Sequence, residues 1–190
     1  MTDLLYKAEV QAMVRAIYRD VDREHSRPRT VRPYDQDRLA RLPEQAARWA
    51  YGTGDPGRHA ELRPGETVLD LGCGAGPDLV LAAQDVGPAG HVVGVDLLPE
   101  MCARARDNAV AAGVDVTVAL AEVEALPLRD ASVDVVLSNG VVSLSARKAR
   151  LLHEARRVLR DSGRVVLADM TLDEEDLPTE VLLHPSAWAG

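Results

Sequence analysis

Apolar and polar positions follow two rhythms along the middle of the chain. Short apolar runs at Thr67–Leu71, His91–Asp96, Asp115–Leu120, Val133–Ser138 and Arg164–Ala168 read as strands. Between them, apolar residues three and four apart predict helices over Asp78–Val86, Glu100–Ala112 and Ala146–Arg160. Pro127 turns the chain before the fourth strand, and Asp161-Ser162-Gly163 is expected to end the last helix. Strands that alternate with helices imply right-handed crossovers and a parallel sheet covered on both faces, an α/β doubly wound architecture. Ahead of it, Leu4, Ala8, Met13, Ile17 and Val21 form a stripe that predicts an amphipathic helix over Leu4–Val21. Arg23–Asp37, rich in Arg, Asp and Pro, reads as a loop or lid, and a plain solvated linker fits it equally. Pro43–Ala50 suggests a second helix, ended by Gly52 and Gly54. The tail from Leu172 to Gly190 shows no further strand pattern.

The chemistry begins where the first strand ends. Val68-Leu69-Asp70-Leu71-Gly72-Cys73-Gly74-Ala75-Gly76 carries an acid near the strand end and then turns through alternate glycines into a helix. Gly72 and Gly74 permit a tight turn and close approach of backbone to a ligand. The next strand, Val92-Val93-Gly94-Val95-Asp96, ends in a second acid, placed where nucleotide-binding sheets bond ribose hydroxyls. The glycine spacing is G-x-G-x-G rather than the dinucleotide G-x-G-x-x-G, and Asp70 would repel a pyrophosphate. No Gly-Lys-Ser/Thr follows, which excludes a Walker-type loop. A carboxylate at that place suits a cationic or amine-bearing nucleoside ligand. Asp70, Gly72, Asp96, Glu122 and Asn139 all fall at strand C-termini, where ligands bind in such sheets.

Composition narrows the setting without changing the picture. A length of 190 residues suits one domain with a full core, and a net charge of −8 gives no attraction to nucleic acid or anionic membrane. No apolar stretch approaches a membrane span, and Met1–Val10 lacks a signal-peptide core. Cys73 and Cys102 have no metal-site spacing, so no metal is expected and a reduced, cytoplasmic setting is.

The run from Leu62 to Gly163 resembles class I S-adenosylmethionine (SAM)-dependent methyltransferases, most closely the arsenite methyltransferase family and its methyltransferase-11 and ubiquinone/menaquinone relatives. The likeness rests on Arg63-Pro64-Gly65-Glu66-Thr67 leading into the glycine turn, Val86-Gly87-Pro88-Ala89-Gly90-His91 leading into the Asp96 strand, Glu122-Val123-Glu124-Ala125-Leu126-Pro127-Leu128, and Ser138-Asn139-Gly140-Val141-Val142-Ser143-Leu144-Ser145. It implies a Rossmann-like core at residues 59–170 that binds SAM and releases S-adenosylhomocysteine, an N-terminal acceptor lid at 1–58 and an acidic tail at 171–190. It also implies roles. Asp70 and the turn Gly72, Cys73, Gly74 and Gly76 would hold the methionine part of SAM; Asp96 would take the ribose and Leu97 the adenine face. Glu122 and Val123 would lie along the adenine edge, with Ser138 and Asn139 beside the transferred methyl.

Two departures from the family stand out. Arsenite methyltransferases bind trivalent arsenic through cysteine thiolates, soft ligands for a soft metalloid. Gly140 stands where one such cysteine follows the Ser-Asn pair, Tyr51-Gly52-Thr53-Gly54-Asp55-Pro56 contains none, and a third would lie beyond Gly190. The fold is also expected to stop after the fifth strand, leaving an edge for a second copy or a different subunit to cover, although a fragment is also open. The resulting expectation is a small-molecule methyltransferase of secondary metabolism rather than of arsenic chemistry. A non-methylating enzyme of the same fold (a cyclase, for example) and a non-catalytic subunit are alternatives. A general base is required only for a protonated acceptor, and Asp169 and Tyr51 are the candidates, with Tyr34 as a further residue able to reach an acceptor. His59 and His153 are read as surface or structural residues.

Overall fold

The computed structural model describes residues 2–24 and 33–171. Its centre is a parallel five-stranded sheet in the order β3-β2-β1-β4-β5, built from β1 (Thr67–Leu71), β2 (His91–Asp96), β3 (Thr117–Leu120), β4 (Val133–Asn139) and β5 (Leu159–Ala168). Helices α5 (Pro77–Val86), α6 (Pro99–Ala112) and α7 (Lys148–Val158) form the crossovers. Four helices precede the sheet: α1 (Thr2–Glu24), α2 (Gln36–Leu39), α3 (Glu44–Arg48) and α4 (Pro56–His59). The order reverses at β1 and β4, so the ligand-binding crevice lies between their C-terminal ends.

The period of two along each strand sorts side chains onto two layers. Val68 of β1, Val92 of β2 and Val135 and Leu137 of β4 pack with Leu79, Ala82 and Val86 of α5 and with Cys102 and Ala105 of α6. Leu69, Leu71, Val93, Val95 and Val136 face the other way, onto Leu151, Ala155 and Val158 of α7. Each fully buried leucine or valine contributes about 1.5–3 kcal/mol relative to exposure. A third cluster joins Tyr34, Leu42, Ala46 and Ala50 to Val80, Leu81 and Ala109, fixing α2 and α3 against the outer sides of α5 and α6.

Several element ends differ from the sequence reading. Prolines 77 and 99 occupy the first turn of α5 and α6, where a missing N–H costs nothing, so both helices start one residue early. β3 begins at Thr117 rather than Asp115, and β4 runs one residue further, to Asn139. α7 spans Lys148–Val158, two residues shorter at each end than expected. The reason lies in β5: Leu159 already pairs with Val133, and pairing resumes only at Arg164 with Val135. Residues 160–163 loop out between these two contacts, so Asp161-Ser162-Gly163 is a bulge within β5 rather than the end of a helix.

Of the Arg23–Asp37 stretch, residues 23–24 end α1, residues 36–37 open α2, and residues 25–32 lie outside those described. The second helix is the shorter α3, and α4 contains the 58/59 boundary. On α1, Ala8 faces solvent, whereas Val10, Gln11, Val14 and Tyr18 turn toward the sheet. Of the predicted stripe, Ala8 is exposed and Met13 half-buried; the side chains of Leu4, Ile17 and Val21 lie outside those described. No helix among the described residues is long and apolar enough to cross a membrane.

Candidate functional site

The strand alternation decides what faces the crevice. Asp70, Asp96 and Asn139 share the α5/α6 side of the sheet with Val68, Val92 and Leu137, because each lies an even number of residues away. Ser138 falls on the opposite side; it is fully buried, its Oγ has no partner, and it does not line the crevice. A cavity of about 270 Å³ opens at this end of the sheet. Asp70, Gly72, Cys73, Gly74, Asp96, Leu97, Glu122, Val123 and Asn139 line it, as does Tyr51. Gly76 does not, since it packs behind the turn against Ala105 of α6. Asp169 is not part of the lining either; its carboxylate accepts the N–H groups of Ser143 (3.2 Å) and Met170 (2.8 Å) at the rim.

The two glycines of the turn serve different ends. Gly72 has φ +65°, and a Cβ there would meet Val141 Cγ2 at 2.4 Å, so its absence lets the β4 loop close down. Gly74 has φ +53°, and a Cβ would meet nothing within 4 Å. The left-handed backbone, not crowding, requires glycine at 74. Cys73 lies beneath the turn, its Sγ directed at Gly94, and burial pushes its thiol well up, so it is an inert packing group.

Three N–H groups of the turn are already spent inside the protein. Cys73 donates to Val95 O, Gly74 to Asp96 Oδ2 at 2.9 Å, and Gly76 to Cys73 O. A phosphate needs such groups free. Asp96 also accepts from Leu98 N at 2.9 Å, so the acid at the end of β2 braces both the glycine turn and the start of α6. Burial still raises its pKa.

Asp70 has no such support. It is 2% exposed, and its Oδ2 is buried without a partner. Burial, then the nearby Asp78 and Asp96 carboxylates, push its pKa well above the ordinary range. Asp78, which the sequence reading did not single out, is pushed to about 6, chiefly by burial. Its Oδ2 accepts from Tyr34 Oη at 2.8 Å and from Asn139 Nδ2 at 3.1 Å. A crowd of buried acids around an unpartnered oxygen is a place for a cation. The ammonium and sulfonium groups of SAM supply one, so the residues present fit that group.

Asn139 is the hub of the second half of the site. Its Nδ2 also donates to Gly54 O at 2.8 Å and lies 2.9 Å from Tyr34 Oη, while its Oδ1 accepts from Thr53 N at 2.9 Å and Gly54 N at 3.2 Å. A Cβ on Gly52 would collide with the amide at 2.4 Å. This one side chain thus holds the Gly52–Gly54 loop at the end of β4. Tyr34 is consequently buried in that network and not in the cavity lining, which corrects its reading as a residue free to reach an acceptor. Arg38 fixes the next step of the loop through Asp55, at 2.7 Å. Tyr18 and Trp49 also line the cavity; Arg104 stacks over Trp49 at 4.6 Å, and Tyr51 meets it edge-on at 6.1 Å. The i, i+4, i+8 spacing of Val10, Val14 and Tyr18 carried a signal for the first of these, whereas Trp49 had none.

At the far side, Glu122 pairs with Lys7 of α1, whose hydrogen bond holds its pKa below the usual carboxylate range. No cluster of three His, Cys, Asp or Glu side chains able to hold a metal exists among the described residues. Gly140, where one thiol of the arsenite family was expected, lies against the Tyr51–Pro56 turn in which another was expected: a Cβ at Gly140 would lie 3.9 Å from Thr53 Cγ2.

Sheet order, strand-end acids and glycine turn define a Rossmann-like SAM-binding fold. Residues 62–189 match the methyltransferase domain family, and the chain belongs to it; its cofactor is SAM. Among curated proteins, an arsenite methyltransferase from Halobacterium salinarum is 44% identical over 83% of this chain and 40% of its own length. A solved arsenic(III) SAM methyltransferase from Chlamydomonas reinhardtii superposes with a TM-score of 0.71 at 37% identity, over 80% of this chain and 53% of that one. A SAM-dependent methyltransferase from Aquifex aeolicus gives 0.58 at 27% identity, over 76% and 72%. The chain spans less than half the length of the curated arsenite methyltransferase relatives it matches.

Proposed function

We propose that this chain transfers the methyl group of SAM to a small molecule bound between the Gly52–Gly54 loop, Tyr51 and the β4 end. The observation that carries the reading is the buried, unpaired Oδ2 of Asp70 among acids that only a cation relieves. SAM supplies a methyl already made electrophilic by its sulfonium. The protein's own work is therefore positioning. Asp70 would hold the ammonium end, Asp96 the ribose, and Leu97, Glu122 and Val123 the adenine. Asn139 would fix the loop that orients the acceptor, and the residues before α4 would act as the lid over it. Tyr51, on the cavity wall, is the better placed of the two acid–base candidates, because Asp169 spends its carboxylate on the Ser143 and Met170 N–H groups. An organic acceptor is favoured over arsenite by the absence of any thiol in the cavity besides the buried Cys73, among the described residues.

Incubation with SAM and candidate acceptors, followed by mass spectrometry, tests the reading. A methylated product with stoichiometric S-adenosylhomocysteine is expected. Acceptor conversion with no mass gain would turn the reading to a non-methylating reaction on the same fold. The exposed Val165 and Leu167 on edge strand β5 support a covering subunit, either a second copy or another chain. A monomer by light scattering, alone and in methylating extracts, would refute that part.

A further inference from the structure

The cavity is chemically one-sided. Five acidic side chains (Asp70, Asp78, Asp96, Glu122 and Glu124) line it, and no Lys, Arg or His does so among the described residues. Apart from these five acids, the described lining of the cavity is uncharged. Its uncharged walls include Tyr18, Tyr51, Thr53, Gly140, Leu144 and Met170. The groups that might have received an anion there are committed elsewhere. Both oxygen and nitrogen of the Asn139 amide are bonded to the 53–54 backbone, and Gly74 N–H is given to Asp96. Desolvation, then the fields of Asp96 and Asp169, raise the Tyr18 phenol, which leaves it a neutral donor.

From this arrangement we propose that the acceptor is a largely apolar molecule that bears no negative charge, a neutral alcohol or an amine, and that carboxylates and phosphate esters are rejected. The inference rests on the methyltransferase reading and adds the substrate class to it. The physical basis is subtraction: an anion entering here loses its water and gains neither a Lys, Arg or His side chain among the described residues nor a free row of N–H donors. It also meets the Asp96 carboxylate, which the Gly74 and Leu98 N–H groups hold without cancelling its charge. A neutral molecule pays neither penalty, and an ammonium is attracted by the acids and by the faces of the aromatic wall.

The test uses the whole chain saturated with S-adenosylhomocysteine and three probes of one shape: phenethyl alcohol, phenethylamine and 3-phenylpropionate, followed by ligand-observed NMR. The alcohol and the amine are expected to bind at least about tenfold more tightly than the carboxylate. Equal or tighter binding of the carboxylate would overturn the proposal, and so would failure of all three to bind at millimolar concentration. A second arm uses Met170→Lys, at a rim position that is 43% exposed and tolerates a charge without burial. It is expected to raise 3-phenylpropionate binding severalfold relative to the alcohol measured on the same variant; an unaltered ranking would show that lining charge does not set the preference. Failure of S-adenosylhomocysteine itself to bind strikes the cofactor reading instead, and is seen before any probe is added.

Discussion

Asp70 and Glu154 are carboxylates of equal charge and nearly equal burial, at 2% and 4% exposure, on opposite sides of one sheet. Glu154, on α7, accepts the Leu126 N–H at 2.9 Å and two bonds from the Arg157 guanidinium at 2.7 and 2.9 Å. Arg157 also binds Asp130 and the carbonyls of Leu126 and Leu128, so the loop before β4 is clamped to α7. The Arg157 hydrogen bonds hold Glu154 at about 2. Asp70 has every cost of burial and no such partner. One acid is satisfied by the fold; the other is kept unsatisfied until a ligand arrives. Burial alone therefore does not mark a functional acid, whereas burial without a partner does.

The comparison breaks most visibly at Glu154. Glu154→Ala strands the Leu126 N–H and loosens Arg157, and is expected to cost about 3 kcal/mol of stability in urea melts while leaving SAM affinity near its original value. Asp70→Asn should do the reverse. SAM binding, read by calorimetry, is expected to weaken roughly 10- to 100-fold, the worth of one charge-assisted contact, while the unliganded protein becomes no less stable. An Asp70→Asn protein that unfolded more readily and bound SAM normally would reverse the assignment of the two acids.

Acid titration sharpens the contrast because the signs are opposite. Glu154 has a depressed pKa, so its contribution is fully present above the unfolded value near 4.5 and is lost as the pH falls toward about 2. Asp70 and Asp78 have raised pKa values, so the folded, unliganded protein takes up protons before the unfolded chain does. Their contribution is present at low pH and is lost as the pH rises, through about 6 for Asp78. SAM, a cation, must find these acids charged. Its affinity is expected to fall by up to about tenfold per pH unit below pH 6 if one proton is linked. Flat affinity between pH 5 and 8 would contradict the linkage. The smallest effect should come from Lys7→Ala. Its partner Glu122 is 36% exposed at the side chain, so stability should change by no more than about 1 kcal/mol in the same melts.

These differences also explain which features could be read from the chain. The strands, their crossover helices and the cofactor turn are written in local signals: period, glycine spacing, and acids at strand ends. The side on which Ser138 falls was available from counting two by two along β4, yet the neighbouring Ser-Asn pair drew attention as a unit. The Tyr34–Asp78–Asn139 network had no local signature, because its members lie 44 and 61 residues apart and meet only through packing. The start of β5 was hidden for a related reason, since a turn-like tripeptide inside a strand looks like a helix end.

The looped-out residues 160–163 have a consequence for how this architecture can vary. They lie at the end of the sheet away from the cavity, between Leu159, paired with Val133, and Arg164, which is anchored to Glu66 at 2.7 Å and to the Ala60 carbonyl at 2.6 Å. A longer loop leaves both anchors, and the Arg160–Asp134 pair, outside the inserted residues. It therefore uncouples the rotational phase of α7 from the in-and-out phase of β5, much as a slack link isolates two gears. Insertions here, whether drifted into by a lineage or placed by an engineer as a label, would leave every strand-end acid in register.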